Sequence, residues 1–352
     1  MRILLVKMSS LGDVVHTLPG LSDAAAALGD RGLTVDWVVE EAFAPIARRH
    51  PAVADVVPIA WRTWRRDLWD SRTALNTFRQ RLRARHYDLI LDAQGLLKSA
   101  AVTALARGSV TAGLSRQSAR EPAAALFYQR RLAVPRGIHA VERIRRLFAA
   151  ALNYPLPDAA PDFGIAPRNA AADQGAIPRC LLLHGTTWDS KHWPVRFWCD
   201  IAARAAGAGM EVVLPWGDAT ERQRAEAIAQ GTAARVLSRQ SLDELADTIA
   251  TAALVIGVDS GLAHLSAALA VPTVVIYGAT SSTLTGCRGA RVHNLQADFP
   301  CSPCLSRQCT YRGPQQTWQG AAVVPACYSR VPPERVWQAA TELAHADRFL
   351  HL

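Results

Sequence analysis

Apolar and polar positions alternate in blocks along this chain. Residues 2–7 (RILLVK) form a short apolar run of strand type that ends in the turn residues Ser9, Ser10 and Gly12. Residues 14–28 then carry apolar side chains at helical spacing. Further strands are read at 33–39 and 87–93, a helix from about residue 99, and a strong helical pattern at 139–152 with its basic residues on the outer face. After residue 178 the alternation restarts, with strands at 180–184, 211–214, 254–258 and 273–277. Helices lie between them at 196–206, 221–230, 241–250 and 261–269. Continuous apolar strands between helices predict parallel sheets covered on both faces.

Residues 153–178 separate the two series. They hold five prolines and no sustained periodicity, which is the composition of a linker. The expected organisation is an N-terminal Rossmann-like domain over 1–160, a linker over 161–178, a second such domain over 179–330 and a terminal helix over 331–352. Two doubly wound α/β domains would then face each other across a cleft. In such sheets ligands bind beyond the carboxyl ends of the strands. That rule selects the turns after Lys7, His184, Leu214 and Val258.

The first of these turns, Lys7 to Asp13, opens a helix, so its amides aim at an anion or a developing charge. Asp13 reads either as a partner of the helix dipole or as a carboxylate base. The second, Gly185 to Pro194, carries Thr186, Thr187 and Lys191. Hydroxyl and amide donors with a point charge suit a diphosphate, and the sequence is not that of a Walker loop. In the third, Glu221 can accept from a ribose hydroxyl pair or favour a helix start. The fourth holds Asp259, Ser260, Gly261 and His264; the histidine reads equally as ligand-binding or as buried and satisfied. The glycine fingerprint of dinucleotide enzymes is absent.

Charge adds an asymmetry. The net charge is +9; residues 1–152 carry 23 basic and 13 acidic side chains, residues 153–352 carry 16 and 17. A basic half predicts an anionic partner. Its densest part, Arg62, Arg65 and Arg66, is interleaved with Trp61, Trp64 and Trp69, a composition that suits an anionic membrane surface. It has no signature of an RNA-recognition, KH or zinc-finger module, which disfavours nucleic acid. Only three of the 39 basic residues are lysines, Lys7, Lys98 and Lys191. An Arg-rich chain keeps Lys where a compact ammonium is wanted. No apolar run reaches the roughly 18 residues of a membrane helix. The start of the chain lacks a signal-peptide core, so a cytosolic protein with reduced cysteines is expected. Cys301, Cys304, Cys309 and Cys327 can build a tetrahedral structural zinc or iron site, against four unligated thiols.

Seven segments in order carry a resemblance: residues 7–19 (KMSSLGDVVHTLP), 37–41 (WVVEE), 92–100 (DAQGLLKSA), 119–122 (AREP), 139–143 (HAVER), 184–194 (HGTTWDSKHWP) and 259–265 (DSGLAHL). Together they resemble the ADP-heptose:lipopolysaccharide heptosyltransferases, inverting enzymes of the two-domain GT-B fold. The SSLGD and HTLP runs point to the member that adds the first heptose. The nearest rival is the member that adds the second. The resemblance implies transfer of L-glycero-D-manno-heptose from ADP-heptose to a Kdo sugar of Kdo2-lipid A, on the cytoplasmic face of the inner membrane. It makes Asp13 the general base. Lys191 and Thr187 would hold the diphosphate, Glu221 the ribose, and Thr186, Asp259, Ser260, Gly261 and His264 would complete the donor site. Ser10, Gly12, Arg62, Arg65, Arg66 and Arg120 would meet the acceptor. Lys191 would offset the leaving-group charge, so catalysis would need no divalent ion.

Overall fold

The computed structural model describes residues 1–29, 32–64, 66–67, 69–165 and 177–349. The chain divides into two compact units, Met1–Ile165 and Ala166–Leu352. Most of the expected linker, residues 166–176, lies outside the described residues.

The first unit runs β1 (Arg2–Val6), α1 (Leu11–Val15), α2 (Leu18–Leu28), β2 (Thr34–Glu40), α3 (Ala44–Arg48), β3 (Val53–Ile59), α4 (Trp61–Trp64) and α5 (Arg72–Arg83). It continues with β4 (Tyr87–Asp92), α6 (Leu97–Leu105), β5 (Gly108–Leu114), a 3-10 helix at Pro122–Phe127, β6 (Arg130–Leu132) and α7 (Ala140–Leu152). Its six strands are parallel, in the order β3-β2-β1-β4-β5-β6.

The second unit runs β7 (Arg179–Leu183), a 3-10 turn at Asp189–Lys191, α8 (Val195–Gly207), β8 (Glu211–Leu214), α9 (Ala219–Ala229), β9 (Arg235–Val236) and α10 (Leu242–Ala250). Then come β10 (Leu254–Val258), α11 (Gly261–Ala268), β11 (Thr273–Tyr277), α12 (Ser282–Thr285), β12 (Val292–Gln296) and α13 (Pro333–Phe349). Its parallel sheet has the order β12-β11-β10-β7-β8-β9. Counted within each unit, both sheets are the doubly wound order 3-2-1-4-5-6. The order reverses between β1 and β4 in one and between β7 and β10 in the other. Among the described residues no helix is long and apolar enough to cross a membrane.

Three expectations need correction. The helix expected over 14–28 is two helices, because the chain turns at His16 and Thr17 before Pro19 starts α2. The basic residues of α7 are not an outer face. Arg145 is buried and ion-paired to Asp23 of α2 at 2.7 Å, and Arg143 donates to the carbonyls of Pro135 and Ser118; Arg146 is exposed. Of the tryptophans in the basic run, Trp64 is a core residue packed on Phe78 with ring centroids 5.4 Å apart, while Trp69 is exposed beneath the Arg72 guanidinium.

Candidate active site

Both switch points carry the turns that the sequence singles out. In the first unit the turn after β1 leads into α1. The Ser10 N–H and hydroxyl both donate to Asp13 Oδ2, at 2.8 and 3.0 Å. Lys7 is buried; its Nζ donates to the Ala93 carbonyl and lies 3.3 Å from Asp13 Oδ1. The Asp13 side chain remains 47% exposed. Enclosure pushes its pKa up, but the Lys7 ammonium, the Ser10 amide, His16 and the Ser10 hydroxyl outweigh this and bring it down to about 2. Asp13 is therefore a carboxylate, open on one side and fixed on the other.

The neighbouring turn after β4 clasps it. Asp92 is buried and accepts from the Gln94 and Gly95 amides and from the Tyr128 hydroxyl. Gln94, so aimed, accepts from the Met8 N–H and donates to the Ser9 carbonyl, at 2.7 and 2.8 Å. Lys98 Nζ reaches the Ser9 hydroxyl at 3.3 Å. Gln94 as a support of this turn is what the sequence reading missed; it marks Lys7 and Lys98 by type without giving them this place. Their signal was the DAQGLLK segment and the scarcity of lysine.

Of the residues expected at the acceptor, Ser10 and Gly12 stand beside Asp13. Arg62 follows β3, where the Glu40 carboxylate accepts its amide and that of Trp61; its own side chain is 65% exposed. Arg66 and Arg120 are exposed. Arg65 lies outside the described residues. Arg136 and Arg143 donate to the carbonyls of Ala119 and Ser118 and so brace the loop that presents Arg120.

In the second unit, Lys191 Nζ lies 2.7 Å from Asp259 Oδ2 and over the Trp188 ring. The Thr280 hydroxyl donates to the same carboxylate oxygen at 2.6 Å, and Thr186 donates to the Asp259 carbonyl. Ser260 caps α11 by accepting from the Ala263 amide. Gly261 begins that helix, and Thr187 is exposed on the lysine's turn. Burial pushes the Asp259 pKa up, but His264 and Lys191 outweigh it and hold the carboxyl well below its usual range. His264 is itself buried, with Nε2 3.6 Å from Asp259 and Nδ1 3.2 Å from Cys287 Sγ. Burial disfavours the imidazolium; Cys287 and Asp259 together raise the pKa to about 10. His264 thus supports Asp259 from beneath.

Glu221 sits at the start of α9, where Asp218 caps its amide and Gly217 donates to its carboxylate. A Cβ on Gly185 would stand 2.5 Å from Glu221 Oε1. The lysine turn and Glu221 therefore adjoin only because residue 185 has no side chain. The turn is also braced from behind: Ser190 donates to the carbonyls of Ser306 and Arg307, and the Tyr328 hydroxyl donates to the Ser190 carbonyl.

That brace belongs to the cysteine-rich segment. Its four cysteines are free thiols, three of them exposed and Cys327 buried. Burial pushes the Cys327 pKa up to about 12, and the other three thiols add to the shift. The donor chemistry suits zinc or iron. The placement does not, since among the described residues no three His, Cys, Asp or Glu side chains are grouped to hold a metal ion.

Comparison with known proteins gives one answer. The family model described as glycosyltransferase family 9 (heptosyltransferase) matches residues 75–314. The chain is 49% identical to lipopolysaccharide heptosyltransferase 1 of Pseudomonas aeruginosa, across 96% of each protein. Among solved structures it resembles the E. coli heptosyltransferase WaaC with ADP, at TM-score 0.77 and 43% identity, covering 84% of this chain and 92% of that one. WaaC with ADP-2-deoxy-2-fluoro heptose gives 0.75 and 42%, covering 84% and 93%. Two parallel doubly wound units carrying these turns, with those similarities, make this chain a member of glycosyltransferase family 9, the heptosyltransferases.

Proposed function

We propose that this enzyme transfers L-glycero-D-manno-heptose from ADP-heptose to a Kdo sugar of Kdo2-lipid A, with inversion at the anomeric carbon. The observation that carries the reading is the pair of prepared groups at the two switch points: an ionised, half-open Asp13 and an ammonium, Lys191, held on buried Asp259. The near-full-length likeness to a heptosyltransferase 1 favours the first transfer over the second.

Asp13 takes the proton of the acceptor hydroxyl as its oxygen attacks the anomeric carbon from the face opposite ADP. The bond from that carbon to the diphosphate oxygen breaks, and its electrons go to ADP. Charge collects on the departing diphosphate, where Lys191, the Thr186 and Thr187 hydroxyls and the amides opening α11 receive it. The positive charge at the leaving group is supplied by the protein, so the reaction proceeds without a divalent ion and a chelator leaves the rate unchanged. Glu221 accepts from the ribose hydroxyls. Arg62, Arg66 and Arg120 meet the anionic acceptor, and the basic first unit works at an anionic membrane surface.

Release of ADP from ADP-heptose, measured with Kdo2-lipid A, with its monoheptosylated form and without acceptor, tests the reading. Turnover should require Kdo2-lipid A; a preference for the monoheptosylated acceptor would assign the second transfer instead.

The Gly185 contact gives a sharper test of the ribose assignment. Gly185→Ala pushes the Glu221 carboxylate aside, and since that is the end of a flexible side chain the fold survives. Losing about one charged hydrogen bond should raise the KM for ADP-heptose roughly ten-fold, with kcat and Tm little changed. An unaltered KM would remove Glu221 from the donor site.

A further inference from the structure

Helix α6 breaks the rule for a surface helix. Its inner side packs Ala100 against Ala124, Ala125 and Tyr128. Its outer side, the positions that should be polar, is Leu97, Ala101, Ala104 and Leu105, all exposed. The 3-10 helix at Pro122–Phe127 lies alongside, tied at its start by the Leu97 amide donating to the Glu121 carboxylate at 2.6 Å. It adds Leu126, 72% exposed, and Phe127, 43% exposed. Two adjacent elements therefore present apolar side chains outward together, which an isolated exposed leucine would not call for.

The surroundings say what covers them. From residue 93 to 138 the chain carries seven basic residues and a single acid, Glu121, and that carboxylate is already engaged by the Leu97 amide. Arg107 follows α6, Arg120 precedes the 3-10 helix, and Arg116 and Arg131 lie nearby in the same stretch of chain; all four are exposed, and Arg83 donates to the Leu105 carbonyl at the far end of α6. An apolar stripe edged by cations with almost no acids is complementary to a bilayer bearing anionic headgroups. A second copy of the chain would set these cations against each other. The opposite end of α6 adjoins the base: Lys98 bonds Ser9 and Gln94 clasps the same turn.

We propose that the face formed by α6 and the Pro122–Phe127 helix docks on an anionic phospholipid bilayer, setting the Ser9–Asp13 turn at the lipid–water interface. The contact is made by this face and not by the tryptophan run at 61–69, where Trp64 is committed to the core. Leu97, Leu105, Leu126 and Phe127 enter the headgroup region while the arginines meet lipid phosphates. The proposal deepens the reading of a lipid-borne acceptor, yet its binding arm needs no substrate, so the two fail separately.

The test is co-sedimentation with vesicles of phosphatidylethanolamine mixed with phosphatidylglycerol, and with vesicles of phosphatidylcholine. The wild-type protein should pellet with the first and lose most of that binding in high salt. The double variant Leu126→Asp/Phe127→Asp should bind at least about ten-fold less. So should Arg107→Glu/Arg116→Glu, which touches no apolar residue. Both should keep wild-type turnover on a de-acylated, water-soluble Kdo acceptor and lose it on the acceptor embedded in vesicles. Undiminished binding by both variants, or equal binding to phosphatidylcholine, would overturn the proposal. So would a wild-type dimer that the Leu126→Asp/Phe127→Asp variant splits, since the face would then be a subunit contact.

Discussion

Replacing Asp13 by alanine should lower kcat about 10²–10⁴-fold, the usual worth of a positioned proton acceptor, while the affinity for ADP-heptose should stay the same. The separation follows from where the residue sits. Asp13 belongs to the turn after β1 and is held by Lys7 and Ser10, whereas the groups assigned to the donor lie on the second unit. Calorimetry with ADP and single-turnover transfer separate the two effects; near-normal turnover would remove Asp13 from the role. Its low pKa fixes a second expectation. The active form is the carboxylate, so activity due to this group falls only as pH drops toward about 2. Across the neutral range kcat/KM should show no acid limb from Asp13. Lys7→Gln removes the main favourable charge, so the pKa rises toward the ordinary carboxylate value and an acid limb should move up in pH. A profile that stays fixed in that variant would mean that Lys7 does not set the charge of the base.

Much of this site was legible in the sequence because the strands that carry it are the buried central ones. β1, β7 and β10 each hold four or more consecutive apolar residues and β4 holds three between Asp88 and Asp92, and each run ends in turn residues that mark its carboxyl end. The edge strands were not legible in the same way. β3 contains Asp55 and Pro58, and β12 reads VHNLQ; such strands pair on one side only and tolerate polar residues and proline. The arginine count misled for a related reason. Arg145 is buried on Asp23, while Arg2, Arg81 and Arg85 pair with Asp36 and Asp55. Several of the first unit's arginines therefore hold its helices and sheet edge together. Lysine proved the better guide. Lys7, Lys98 and Lys191 all end at the two switch points, on Asp13, Ser9 and Asp259. Periodicity has no means of revealing what supports those groups from below. Gln94, Thr280 and Cys287 act through turns that only the folded sheet brings together.

Lys191→Ala should be the most damaging single change in the second unit, and it acts on two levels. For catalysis it removes the cation facing the departing diphosphate, a loss of about 10²–10³ in kcat with a raised KM for ADP-heptose. For the fold it leaves Asp259, 8% exposed, facing His264 and Thr280 with one cation fewer. Taking one partner from a buried ion pair costs about 3–5 kcal/mol, so Tm should fall as well. Lys191→Arg separates the levels. Its guanidinium keeps the charge and restores much of the Tm, but a planar fork cannot replace a compact ammonium between Asp259 and Trp188, so turnover should remain low. Binding of ADP alone, followed by calorimetry, should weaken in both variants, and magnesium should not restore it. If ADP bound the alanine variant as tightly as the wild type, Lys191 would be a purely structural partner of Asp259, and the charge on the leaving group would have to be met by another residue.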